Sequence, residues 1–154
     1  MELIIEDRVK KAVDLFNNGY NCAQSVFLAY SDLYNIETEL AKSLSVSFGG
    51  GLGRMREVCG AISGMSMLIG FDYPVTDTAD MDARTDNYSQ VQKAATLFKE
   101  KHQSIICKEL LKTLKPSSNP TPSERTAYYY SNRPCGRFVE DAARIFGTML
   151  KEKE

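Results

Sequence analysis

A chain of 154 residues is one domain's worth of polypeptide, long enough to bury about 70% of the surface its unfolded form exposes. The apolar fraction of 43% and charged fraction of 25% are those of a soluble globular protein, and a net charge of −1 with interspersed acids and bases gives no pull toward nucleic acid or an anionic membrane. The longest mostly apolar stretch, Val58 to Phe71, is too short and too rich in Gly and Ser to span a bilayer, so no membrane insertion is expected.

Helical periodicity runs through the chain. Val9, Ala12, Val13 and Phe16 recur at 3–4 spacing in a first helix that stops at Asn17-Asn18-Gly19. Cys22, Val26, Ala29 and Leu33 repeat the pattern in a second, which ends near Asn35. Thr38 can cap a third, with Leu40, Leu44 and Phe48 along one side. Gly49-Gly50-Gly51 and Gly53 then break the chain. A fourth helix is expected over Val58 to Gly70, with Ile62, Met65 and Ile69 available to the core; Tyr73-Pro74 ends it. Asp80 to about Lys101 reads as a long amphipathic helix with Tyr88, Val91, Ala95 and Phe98 on one side, and Cys107, Leu110, Leu111 and Leu114 mark a shorter one. Lys115 to Ser123, KPSSNPTPS, is the clearest loop. The run Tyr128-Tyr129-Tyr130 is ambiguous. A last helix runs from Cys135 toward Leu150, with Val139, Ala142, Phe146 and Met149 facing inward. No stretch alternates as a strand does. The expected fold is all-α: a single-domain bundle of about six to seven helices over residues 1–154.

Four cysteines carry the chemistry. Cys22, Cys59, Cys107 and Cys135 lie far apart in sequence, yet each falls at an expected helix start. Asn21 is an N-cap before Cys22, Cys59 opens CGAISGMSMLIG, Ser104 can cap the helix of Cys107, and Pro134 precedes Cys135. Unpaired N–H groups and the positive dipole end favour the thiolate there, the form that attacks disulfides and binds metals. The opening MELIIEDRVKK has no basic segment followed by an apolar core, so no signal peptide is expected and the cytoplasm is the expected location. Cysteines there are more often redox-active or metal-binding than structural. No C-x-x-C occurs, which excludes thioredoxin-like and zinc-ribbon spacings; C-x-x-C-H and a ferredoxin-type ligand loop are also absent. A site whose members meet only in the folded protein remains.

In Cys59-Gly60-Ala61-Ile62-Ser63-Gly64, two glycines one turn apart cost helix stability and need a compensating gain. Close approach of another helix would supply it, and so would room for a cluster or ligand beside Cys59, making Gly60, Ala61 and Gly64 candidate cofactor-binding positions.

Gly19-Tyr20-Asn21-Cys22-Ala23-Gln24-Ser25-Val26, Phe48-Gly49-Gly50-Gly51, Cys59-Gly60-Ala61-Ile62-Ser63-Gly64 and the single Cys107 and Cys135 together resemble the C_GCAxxG_C_C family of putative redox-active proteins. The resemblance covers nearly the whole chain. It implies a redox role with an unidentified redox partner, linked through neighbouring genes to membrane transport systems. A related segment in a cytochrome that carries an iron–sulfur cluster keeps cluster binding open. Two chemistries follow: thiol–disulfide exchange, with Cys59 the preferred attacking thiolate, or an iron–sulfur or other thiophilic metal centre held by Cys22, Cys59, Cys107 and Cys135. A helical interaction module with buried cysteines is the third reading, and whether the chain is an enzyme stays open.

The glycine loop with Arg54 and Arg56 matches no phosphate-binding motif; a solvated turn is the expected role of the arginines, although either would lower the pKa of a nearby Cys59. His102, the only histidine, reads as a helix C-terminal cation rather than a metal ligand or a proton donor to Cys107. Asp80, Asp82 and Asp86 read as helix N-terminal charge rather than a calcium loop. Small-residue helix faces and a tyrosine run taken as exposed point to a homodimer.

Overall fold

Helix starts are fixed locally, by caps, before any packing is considered. In the computed structural model, which describes residues 2–154, Asn21 and Gln24 form a reciprocal capping box at the head of the second helix. The Glu37 carboxylate, one residue before the expected Thr38, accepts from the amides of Glu39 and Leu40 at the third. Asp80 accepts from the Ala83 amide at 2.9 Å, the N-terminal role expected of its acid cluster. The resulting order is α1 (Ile5–Asn17), α2 (Cys22–Tyr30), α3 (Thr38–Ser45), α4 (Gly60–Asp72), α5 (Met81–His102), α6 (Cys107–Leu110), α7 (Ala127–Asn132) and α8 (Cys135–Lys153). Eight α-helices among the described residues, joined by short 3₁₀ turns and with no strand, make the fold all-α as expected. The helix beyond the expected count is α7, which takes up the ambiguous tyrosine run and starts with Thr126 capping the Tyr129 amide.

α2 and α8 form the heart of the bundle. α2 packs against α1, α3, α4 and α8, and α8 against α1, α2, α4 and α5. Every residue of α2 from Ser25 to Tyr30 is buried, so its apolar character runs round the helix instead of along one stripe. Tyr30 is completely buried, donates to the Ala143 carbonyl of α8 at 2.6 Å and meets Phe146 edge-on, with ring centroids 4.9 Å apart. Its hydroxyl is satisfied, so the ring contributes burial without an orphaned polar group.

Small residues decide two faces that periodicity alone misplaces. On α3 the buried positions are Ala41 and Ser45, while Leu40 and Leu44 are exposed. Ser45 returns its hydroxyl to the Ala41 carbonyl at 2.7 Å, so this polar side chain packs inward at no unsatisfied cost. On α5 only Ala94 and Phe98 are fully buried, and Tyr88 is exposed. No helix among the described residues is long and apolar enough to cross a membrane.

Candidate functional site

Each cysteine reaches the site by a different device. Cys22 is the first residue of α2, directly after the Asn21 cap. Cys135 is the first residue of α8, with Pro134 at the cap position. Cys59 occupies the cap position of α4 itself. Cys107 opens the single turn of α6, where the Ser104 hydroxyl accepts the Ile106 amide at 3.0 Å. An isolated antiparallel bridge, Val58 to Ile106, ties the last two together. The Cys59 amide donates to the Ile105 carbonyl at 2.8 Å and the Cys107 amide to the Glu57 carbonyl at 2.6 Å. The expectation of four helix starts is met at the backbone.

The two glycines of the CGAISG segment explain how α2 and α4 come so close. A Cβ on Gly60 would lie 3.0 Å from the Ala23 amide nitrogen and 3.3 Å from Cys22 Cβ; one on Gly64 would lie 2.9 Å from the Ala23 carbonyl oxygen. Of the two gains open to the sequence, close helix approach is therefore realised at both. Gly60 also borders the cavity described next, whereas Gly64 and the fully buried Ala61 do not line it. Ala61 is fully buried, and Gly64 packs against Ala23 and Val26 of α2.

All four cysteines line one cavity of about 410 Å³. Arg54, Arg56, Arg125 and Arg133 line it too, and no Asp, Glu or Lys does. The glycine loop supplies the first two arginines in an unusual backbone: Leu52, Arg54 and Arg56 all have positive φ, at 67°, 63° and 62°. Non-glycine residues in that region carry strain. Arg56 is buried rather than solvated, a correction to the expected turn, and it donates to Cys107 Sγ at 3.7 Å and to the Ser117 carbonyl at 2.9 Å. Arg54 donates to the Thr121 carbonyl. Through these bonds the proline-rich segment lies across the cavity, with Pro120 and Pro122 in its wall.

Arg125 and Arg133 were not singled out in the sequence. Arg125 donates to the Phe16 and Tyr20 carbonyls, both at 3.1 Å, and lies over the rings of Phe16 and Tyr129 at 4.6 and 4.8 Å. It thereby occupies the C-terminal end of α1, where a cation is favoured. Tyr129 and Tyr130 pack on Phe16, which leaves only Tyr128 of the tyrosine run exposed. Arg133 lies over Tyr129 at 5.2 Å, two residues before Cys135. That proximity to a cysteine at a helix start was the available signal.

The four sulfurs differ in environment. Cys22 and Cys135 are neighbours in the cavity, and the Cys22 thiol, with the nearby Arg133, Arg125 and Arg56, holds the Cys135 thiol down to about 7 against the cost of burial. Cys22 is pushed well up and keeps its proton, since a charge there would face the Cys135 sulfur and lose water. Burial pushes Cys59 up to about 12, only partly offset by the amides of Ala61 and Ile62. Burial also raises Cys107, opposed by its Arg56 hydrogen bond. The arginines expected beside Cys59 stand instead by Cys107 and Cys135.

His102 ends α5 as expected, with its Nε2 2.7 Å from Asp141 Oδ2 and its ring against Phe98 and Phe138. It makes no hydrogen bond to a sulfur among the described residues. Among the described residues no group of three or more His, Cys, Asp and Glu side chains gathers closely enough to hold a metal ion.

The C_GCAxxG_C_C family model, described as "Putative redox-active protein", matches residues 20–149, a span that contains all four cysteines and the cavity. A curated relative from Archaeoglobus fulgidus, itself described as an uncharacterized protein, is 33% identical over 60 residues, which is 38% of this chain and 40% of that one. The chain therefore spans less than half the length of that relative. No solved structure matches. With the match running from the capping box of α2 to the last turns of α8, the chain belongs to the C_GCAxxG_C_C family.

Proposed function

We propose that the protein is a dithiol–disulfide redox protein whose working pair is Cys135 and Cys22. One observation carries the reading: the first residues of α2 and α8 bring two neighbouring thiols into one arginine-lined cavity, and the arginines hold the Cys135 thiol down. The Cys135 thiolate attacks a disulfide sulfur of the oxidised partner, forming a mixed disulfide and releasing the partner's other half as a thiolate. Cys22 then passes its proton to the released thiolate and attacks Cys135 Sγ. The Cys22–Cys135 bond forms, the second thiolate leaves, and two electrons have passed from the protein to the partner. Cys59 and Cys107 line the cavity rather than attack, and Cys107 accepts a hydrogen bond from Arg56. The work belongs in a reducing compartment, the cytoplasm, where the reduced pair can be regenerated.

The test is mass mapping of the fully reduced protein after stoichiometric oxidation, together with metal analysis of protein purified without oxygen. A Cys22–Cys135 linkage, a trapped mixed disulfide on Cys135 in Cys22→Ala, and metal-free protein are expected. A different linkage, or iron near stoichiometry, overturns the reading.

A further inference from the structure

We infer that the oxidant taken by this cavity is a small disulfide bearing negatively charged groups, seated by the guanidiniums of Arg133 and Arg54 while Cys135 attacks its sulfur. The inference rests on the Cys135–Cys22 pair proposed above and names its substrate class.

The cavity collects four guanidinium groups with no carboxylate in its lining, in a protein whose net charge is −1. Among the described residues the ion pairs made by arginines belong to Arg8 and Arg144, and none of the four cavity arginines has an acidic partner. Two of them are occupied otherwise. Arg125 spends its donors on the Phe16 and Tyr20 carbonyls, and Arg56 on the Ser117 carbonyl and the Cys107 sulfur. Arg54 has one carbonyl acceptor, at Thr121, and among the described residues Arg133 has only the Tyr129 ring beneath it. These last two retain donors for a ligand. Arg54 is also held below the usual arginine range, by burial and then by the neighbouring charges of Arg56 and Arg133, so the cluster is mutually repulsive as it stands. Like charges kept together at a cost are relieved by an anion, and guanidinium forks match carboxylate geometry.

Size narrows the class. A cavity of about 410 Å³ suits a small molecule. Its wall includes Pro120 and Pro122, and Cys135 is only 7% exposed, so a disulfide embedded in a folded protein would not reach the sulfur. The electron balance is that of the exchange above: the disulfide takes two electrons and leaves as two anionic thiols, while the protein keeps the Cys22–Cys135 bond.

The experiment is a charge series of symmetrical disulfides on the reduced full-length protein: dianionic dithiodiglycolate, neutral bis(2-hydroxyethyl) disulfide and dicationic cystamine. Each rate is divided by that of a free small thiol. An isolated thiolate repels the dianion and favours cystamine. The protein is expected to reverse that order, with the dianion favoured over the neutral probe by about tenfold or more after normalisation. Arg133→Gln should erase most of this preference, read as the ratio of dianionic to neutral rates so that a change in the Cys135 thiolate itself cancels. Arg137→Gln, whose exposed side chain does not line the cavity, should keep it. A normalised order identical to the free thiol, or equal loss in both variants, overturns the inference while leaving the thiol pair intact. Failure of every probe to yield the Cys22–Cys135 bond overturns the underlying pair as well.

Discussion

At the level of single residues, the four cysteines are chemically unequal because charge and water reach them unequally. Cys135 has its pKa lowered, so it is thiolate above about pH 7 and thiol below it. Reactivity follows the thiolate. The alkylation rate of native Cys135, followed by mass spectrometry, should therefore rise through pH 7 and level off, whereas an unperturbed cysteine rises near about 8.5. Cys59, pushed up to about 12, should stay unmodified across the same range until the protein unfolds. The neighbouring Cys22 matters alongside the arginines. Cys22→Ser keeps an O–H that can point at the Cys135 sulfur, and Cys22→Ala does not. Serine should hold the titration midpoint near its original position, and alanine should move it upward; equal midpoints in the two variants would remove Cys22 from the account.

At the level of elements, the α2–α4 seam is the part most sensitive to added volume. A methyl group at Gly64 would stand 2.9 Å from the Ala23 carbonyl oxygen and 3.0 Å from Val26 Cβ, both on a helix that is buried nearly all round. Gly64→Ala exchanges a favourable helix propensity for overpacking, and a net loss of about 1–3 kcal/mol is expected in denaturant unfolding. A stabilised variant would mean that the seam can open. The seam was half legible in the sequence: two glycines one turn apart announce a close approach without naming the partner. Helix starts were more legible, because caps such as Asn21 with Gln24 are local. What escaped was long-range. Arg125 bonds to the Phe16 carbonyl across more than a hundred residues. The Val58–Ile106 bridge is too short to leave an alternating pattern. The inward faces of Ala41 and Ala94 were hidden because periodicity weights large side chains, and close packing here selects small ones.

Over the whole molecule, the proposed Cys22–Cys135 bond would join the starts of α2 and α8, the two helices at the heart of the bundle. It would close a loop of more than a hundred residues, for which chain entropy predicts about 4–5 kcal/mol of stabilisation. The oxidised protein should unfold at higher denaturant concentration than the reduced one. Unchanged or lower stability would show that closing the bond strains the bundle. Between them, reduced and oxidised proteins would then differ in rigidity as well as in electron count, with the same eight helices in both.

The cluster of arginines without acids also has a thermodynamic side. Oxidation removes the negative charge of Cys135 from a chamber that holds four guanidiniums, so the oxidised chamber is the more positive of the two. A spectator anion should then bind the oxidised form more tightly, and reciprocity requires that the same anion favour oxidation. Raising sulfate at constant ionic strength should move the reduction potential of the pair to more negative values. A potential indifferent to sulfate would mean that the guanidiniums are already neutralised. The ambient salt would thus act as a tuning knob on the driving force, set by the protein's surroundings rather than by its sequence.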